Sequence, residues 1–202
     1  RNSQNESFFS IDILEKSLTE DRGGVVSNGL SNVQFLRADI LNMNLKKQSF
    51  DHVFVCHFLE HLSQPDYALA ILQDLIKIGG TIIVIEGDHG SAYFYPDSDA
   101  AQITIQCQVE LQKRTGGNTN IDREIYHLLK GAGFSSTNVS PRMVYVDSSS
   151  PELVEGFTKN TVIAMIEGVR EYSISAGLIG ETTFDEGIRD LHKTTEKDGV
   201  FC

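Results

Sequence analysis

Four short apolar runs, separated by longer amphipathic stretches, constrain this chain more than any other feature. They are "FFSIDI" (8–13), "NVQFLRADI" (32–40), "FDHVFVCH" (50–57) and "TIIVIEG" (81–87). Each has the length and the β-branched and aromatic content of a strand, and each closes on an acid or on a Cys-His pair. Residues 14–28 between the first two read as a weak helix, because each of Gly23 and Gly24 costs about 1 kcal/mol in a helix interior. "QPDYALAILQDLIKIGG" (64–80) reads as a stronger helix. Tyr67, Leu69, Ile71, Leu72, Leu75 and Ile76 give it an apolar stripe, and Gly79-Gly80 give it a stop. Strands alternating with helices predict a mostly parallel sheet covered on both faces. Right-handed crossovers then bring the carboxyl ends of the strands to one side, which is where such sheets bind ligands. Asp12, Asp39, Cys56-His57 and Glu86-Asp88-His89 all fall at those ends. The expected fold class is α/β, Rossmann-like and doubly wound.

Downstream, helices are expected near 98–114 and 118–134, and a strand over 137–149 bent at Pro141. Two more helical segments follow near 151–176 and 182–196, before "GVFC" opens a last strand. A chain of 202 residues suits one domain with a sizeable core. Its net charge of −11, with 17 basic residues scattered along it, argues against a large nucleic-acid footprint. No apolar run reaches the roughly 18–20 residues that span a bilayer, and "RNSQNESFF" has no signal-peptide pattern. The three cysteines form no C-x-x-C pair, which fits a reducing cytoplasm.

An acid at a strand end, as at Asp12, can accept both hydroxyls of a ribose, or it can cap the following helix. Asp39 can accept from an adenine amino group, with Ile13, Ile40 and Leu41 as apolar walls, or it can close a turn. The two together favour a nucleoside-containing ligand. In "CHFLEHL", His57 and His61 stand four apart, but the order is not H-E-x-x-H and no second cluster supplies further ligands, so no metal is expected. Adjacent Cys56 and His57 at a strand end point different ways, which weakens a nucleophile–base pair. They read instead as pocket wall, with Glu60 and His61 opening the next helix. Asp88 and His89 can orient a substrate or act as acid and base, or simply be solvated in a loop. Tyr93, Phe94 and Tyr95 can line a pocket or anchor a lid, and Arg123 reads as structural. No glycine pair follows a strand in the pattern of a phosphate loop.

"SIDI", "NVQFLRADI", "SFDHVFVCHFLEHL" and "LIKIGGTIIVIEGD", in that order and spacing, resemble the class I S-adenosylmethionine-dependent methyltransferases. The likeness is strongest to the small-molecule branch of ubiquinone- and menaquinone-biosynthesis type. "REIYHLLKGAGF" is similar to the helix such proteins carry before the sixth strand. The resemblance covers residues 8–146. It implies S-adenosylmethionine as cofactor, methyl transfer as activity and a small molecule as acceptor. Asp12 and Ile13 would lie at the ribose, Asp39 and the Ile40 backbone at adenine, and Cys56 and His57 beside the methionine moiety and its methyl group. Glu86 to His89 would border the acceptor, with His57, His89 and Asp88 as candidate bases. The family's seven-stranded sheet has its last strand antiparallel. Here 8–146 would be the core, 98–117 a lid-like helix, and 151–196 a helical extension before that strand.

The family also carries an acidic, glycine-rich loop, E/D-x-G-x-G-x-G, after its first strand. "RNSQNES" has no such pattern, so that strand and loop, and the rest of the last strand, are expected outside these residues. Two other classes fit part of the pattern: a non-catalytic methyltransferase-like binding module and a nicotinamide-dependent oxidoreductase. The second has no counterpart to "FD…LEHL".

Overall fold

In the computed structural model, residues 6–202 are described; the first five, part of the stretch read above for a signal peptide and a glycine-rich loop, lie outside them. Strand β1 (Phe8–Asp12) pairs parallel with β2 (Val33–Arg37), in register from Phe8 opposite Val33 to Asp12 opposite Arg37. Helix α1 (Glu15–Ser27) makes the crossover. The unit then repeats: β3 (Phe50–Cys56) pairs parallel with β4 (Ile76–Ile85) through α2 (Pro65–Leu75). Pro65 suits the first turn of α2, where its missing N–H would have no helical partner. Ala68, Leu69, Leu72 and Leu75 bury one face of α2 against Val55, Leu59, Ile121, Ile125 and Leu129. Ile40, just past β2, joins that cluster and so ties the end of the first unit to the second.

Gly79-Gly80 is not a helix stop. The ladder runs from Phe50 opposite Ile76 to His52 opposite Thr81, so two steps along β3 face five along β4. The extra residues bulge out, as Gly79 (φ 82°) permits. A Cβ on Gly80 would stand 2.6 Å from the Asp51 carbonyl oxygen, so the bulge needs glycine there too. A Gly-Gly pair reads the same at a helix end and in a bulge, which is why α2 ends earlier than its sequence pattern.

The C-terminal part is antiparallel: β5 (Phe94–Tyr95), β7 (Val200–Phe201) and β6 (Val146–Asp147) pair in that order. Of the strand expected over 137–149, only Val146–Asp147 pairs in a ladder among the described residues. Helix α3 (Asp99–Arg114) is capped by Ser98, whose Oγ accepts the Ala101 N–H at 3.1 Å. The segment expected as a lid is built into the core: Ala101, Thr104, Ile105, Cys107 and Gln108 of α3 are buried. The expected helix over 118–134 divides into a 3-10 turn, Ile121–Glu124, and α4 (Ile125–Gly131). The extension comprises α5 (Pro151–Leu153), a π-helical stretch Val154–Ile163, α6 (Ala164–Glu167), α7 (Arg170–Ser175) and α8 (Glu181–Lys193). Gly187 lets α8 approach α3 closely; a Cβ there would lie 2.6 Å from the Ala100 carbonyl oxygen. Phe184 and Leu191 close a second core with Ile105, Ile163, Ile166, Phe94 and Phe201.

Two consecutive parallel βαβ units with an antiparallel last strand give the α/β, Rossmann-like architecture. Among the described residues the ladders form two parallel pairs and one antiparallel triplet.

Candidate active site

At the carboxyl end of the first unit, Asp12 bends the chain into α1: its Oδ1 accepts the Leu14 N–H at 2.7 Å. Ile13 and Leu14 beside it are exposed, at 56% and 60%. Asp39 closes a turn with both oxygens, accepting the Leu41 N–H at 2.9 Å and the Asn42 amide at 2.6 Å. The Ile40 side chain points into the core, which leaves the backbone, not the side chain, to face a ligand.

At the end of the second unit, β3 hands over to a 3-10 turn (Leu59–His61) through His57, which sits at φ 45°. A left-handed conformation is uncommon outside glycine, though histidine is among the residues enriched there. The His57 N–H donates to the Ile85 carbonyl at 2.8 Å, so the turn still belongs to the β3–β4 ladder. Glu86, at the end of β4, caps this turn. Its Oε1 accepts the N–H groups of Phe58 and Leu59 at 3.0 and 2.8 Å, and its Oε2 that of Glu60 at 3.4 Å. Glu86 is thus committed to building the site. Partial burial, and then the charge of Glu86, push the Cys56 thiol above its usual range, so it stays a thiol and part of the wall.

Asp88 and Arg123 form a two-pronged ion pair at 2.7 and 2.8 Å, and Ser91 donates to the same carboxylate. Burial pushes Asp88 up, but the Arg123 and Ser91 bonds outweigh it and hold the carboxyl below its ordinary range. A carboxylate so stabilised is a poor base, so Asp88 anchors the loop, and Arg123 is structural as its sequence context suggested. The next residues are pinned from the other side, where the Gly90 N–H donates to Asn120 Oδ1 at 2.9 Å.

His89 is different. It is largely enclosed, with 20% of its side chain exposed. Its Nδ1 lies 3.2 Å from Gln108 Oε1 and its Nε2 lies 3.4 Å from Glu60 Oε2. A Cβ on Gly87 would stand 3.2 Å from His89 Nε2 and 3.9 Å from the His57 ring, so the absence of a side chain there lets both imidazoles approach one point. Glu60, only 4% exposed, is the residue that the sequence reading passed over. It does not merely open a helix: it lies between His89 and His61, the latter with Nε2 3.6 Å from Glu60 Oε1. A signal for its partners is present in α3, where Thr104, Gln108 and Gln112 repeat at four-residue spacing as a polar stripe on a buried face.

A hollow of about 400 Å³ lies at the opposite end of β4, beside Lys47, Lys77 and Gly79-Gly80. Both lysines there are paired, with Asp74 and Asp51, so they offer no free cation to a ligand. No group of three or more potential metal ligands occurs among the described residues.

A parallel α/β sheet with its acids and imidazoles at the strand carboxyl ends defines a nucleotide-type binding fold. Residues 1–133 match the methyltransferase domain family, and the chain belongs to that family. A curated relative is the uncharacterized 37.1 kDa protein in transposon Tn4556 of Streptomyces fradiae, 27% identical over 144 residues. That alignment covers 70% of this chain and 41% of the relative. Among solved structures, phosphoethanolamine N-methyltransferase 2 of Haemonchus contortus, bound to phosphomonomethylethanolamine and S-adenosylhomocysteine, is similar with TM-score 0.50 and 14% identity. It is covered over 96% of this chain and 42% of its own. The [4+2]-cyclase SpnF is similar with TM-score 0.49 and 16% identity, over 96% of this chain and 64% of its own. The chain therefore spans less than two thirds of the length of each of these proteins.

Proposed function

We propose that this domain binds S-adenosylmethionine and transfers its methyl group to a small-molecule acceptor. The observation that carries the reading is the methyltransferase-domain match over residues 1–133, joined to the placement of Asp12, Asp39, His57 and His89 at strand carboxyl ends. The residues fit the cofactor. Asp12 commits one oxygen to its turn and keeps the other for a ribose hydroxyl, and the exposed Ile13–Leu14 pair offers an apolar wall. Asp39 and the Ile40 backbone border the adenine. Cys56 and His57 stand where the methionine end would lie.

The cofactor supplies an electrophilic methyl on a sulfonium. The protein has to hold the acceptor in line, exclude water and, for a hydroxyl or amine acceptor, take up a proton. His57 is the group placed for the proton, His89 stands beside it at Gly87 where it can orient the acceptor, and Asp88 holds the loop that carries His89.

Calorimetric titration of the intact protein with S-adenosylmethionine and S-adenosylhomocysteine tests this. Binding is expected for both, weakened about tenfold or more in Asp12→Ala, the loss of a charge-assisted hydrogen bond. No heat of binding at millimolar cofactor would sink the reading.

A further inference from the structure

The hydrogen bonds around Glu60 form a chain that returns to its carboxylate at a 3.4 Å contact, and one fixed point sets its polarity. The Glu60 backbone carbonyl can only accept, and it takes the Asn118 N–H at 2.8 Å and Gln112 Nε2 at 3.1 Å. Gln112 therefore turns Oε1 toward Gln108 Nε2, 3.2 Å away. Gln108 in turn presents its Oε1 to His89 Nδ1 at 3.2 Å. An amide oxygen needs a donor, so the hydrogen sits on His89 Nδ1. On the other arm, Gln112 Nε2 also reaches His61 Nδ1 at 3.2 Å, so that nitrogen accepts and the His61 hydrogen sits on Nε2, facing Glu60 Oε1.

One link remains. His89 Nε2 faces Glu60 Oε2 at 3.4 Å, and Oε2 is buried without a hydrogen-bond partner. With Nδ1 already the donor, a neutral His89 would turn a lone pair toward a carboxylate oxygen. Both groups would be desolvated and neither satisfied, the costly way to bury polar atoms. A proton on Nε2 turns the contact into an ion pair and removes the conflict.

We propose that His89 carries a second ring proton, on Nε2, as an imidazolium paired with the Glu60 carboxylate, with Glu60 the positioning residue that fixes the state of His89. In that state His89 presents hydrogen-bond donors to its surroundings and is not a base at rest, which leaves His57, across Gly87, to take up a proton from an acceptor. The other groups around His89 do not compete for the site. Its own N–H donates to the Thr119 carbonyl at 3.1 Å, Asp88 is bonded to Arg123, and Glu86 is bonded to backbone N–H groups. The proton stands on this hydrogen-bond accounting alone; its use in catalysis rests on the methyltransferase reading.

Long-range proton–nitrogen correlation spectra of the intact protein, labelled with nitrogen-15 histidine and recorded at neutral pH, read the state of each ring; His89→Asn assigns the signal. For the wild type the expected pattern is both ring nitrogens of His89 protonated. Glu60→Gln, whose amide can donate to Nε2, should lose the extra proton and leave the neutral Nδ1–H tautomer. Gln108→Leu, which removes the acceptor at Nδ1, should convert His89 to the Nε2–H tautomer bonded to Glu60. A neutral wild-type His89 in either tautomer, or the same pattern in all three proteins, overturns the proposal. If circular dichroism shows Glu60→Gln unfolded, Gln108→Leu decides alone. Failure of cofactor binding with the ring pattern intact would overturn the methyltransferase reading and leave the proton in place.

Discussion

The two parallel βαβ units end in the same kind of residue and use it in opposite ways. At the end of the first, Asp12 and Asp39 bond to groups two or three residues away, and exposed Ile13 and Leu14 sit beside them. At the end of the second, Glu86 reaches back to residues 26 to 28 positions away, and Glu60 is enclosed by α3 and two imidazoles. Acids held by their own turns keep capacity for something from outside. Acids engaged over long range are spent on shape. The first end thus suits recognition of a ligand, and the second suits fixing where the reacting groups stand.

The sharpest way to break this contrast is Glu86→Ala. Three consecutive N–H groups at the start of the 59–61 turn would lose their acceptor. Stability should fall by about 3 kcal/mol, read as the shift in urea midpoint with unchanged slope, since charged acceptors are worth more than neutral ones and part-buried donors are left unpaired. Asp12→Ala, by contrast, should cost only about 1 kcal/mol, as for a local capping bond, while weakening cofactor binding. Equal losses at the two sites would erase the distinction between them.

A smaller effect, confined to acid, is expected at Asp88. Its folded-state pKa is held below the ordinary 3.8, so its ionised form contributes stability above that pH, and the contribution is lost as pH falls through the lowered value. Asp122, beside it, is pushed up by burial and then by the Asp88 charge, so it acts in the opposite sense and favours the fold as it protonates. Urea midpoints measured from pH 7 downward should show a shallower acid decline in Asp88→Asn than in the wild type, and a steeper one in Asp122→Asn. If both variants parallel the wild type, the Arg123 pair is too well solvated to anchor the loop.

The strands and crossovers of both units were largely legible because burial imposes a period on the sequence: β1 to β3 and residues 81–85 of β4 fall where that period places them, while 76–80, read as helix, open β4. Asp12, Asp39, Cys56, His57, Asp88 and His89 were legible as strand-end residues for the same reason. What each does was not. Glu60 read as opening a helix and Glu86 as a strand-end acid bordering an acceptor, and only the fold decides that Glu86 accepts three N–H groups and Glu60 meets His89. Those contacts join positions far apart in the chain, where no local pattern records them. The same holds for the bulge at Gly79-Gly80 and for the π-helical run Val154–Ile163, whose residues suit an ordinary helix equally well.

The smallest effect expected has the opposite sign and probes the first unit away from its acids. Gly24 lies inside α1, and a Cβ there would meet nothing within 4 Å. The Asn28 N–H and side-chain amide both bond to the Gly24 carbonyl, at 3.2 and 2.8 Å, and neither bond involves the position a methyl would fill. Gly24→Ala should therefore stabilise the protein by about 0.5–1 kcal/mol, by restricting the unfolded chain and favouring the helix, with cofactor affinity unchanged. A gain in stability accompanied by weaker cofactor binding would show that the first unit must stay loose to close around its ligand. Stability gained at no cost in binding would place the recognition in the turns at Asp12 and Asp39, leaving α1 as the strut between them.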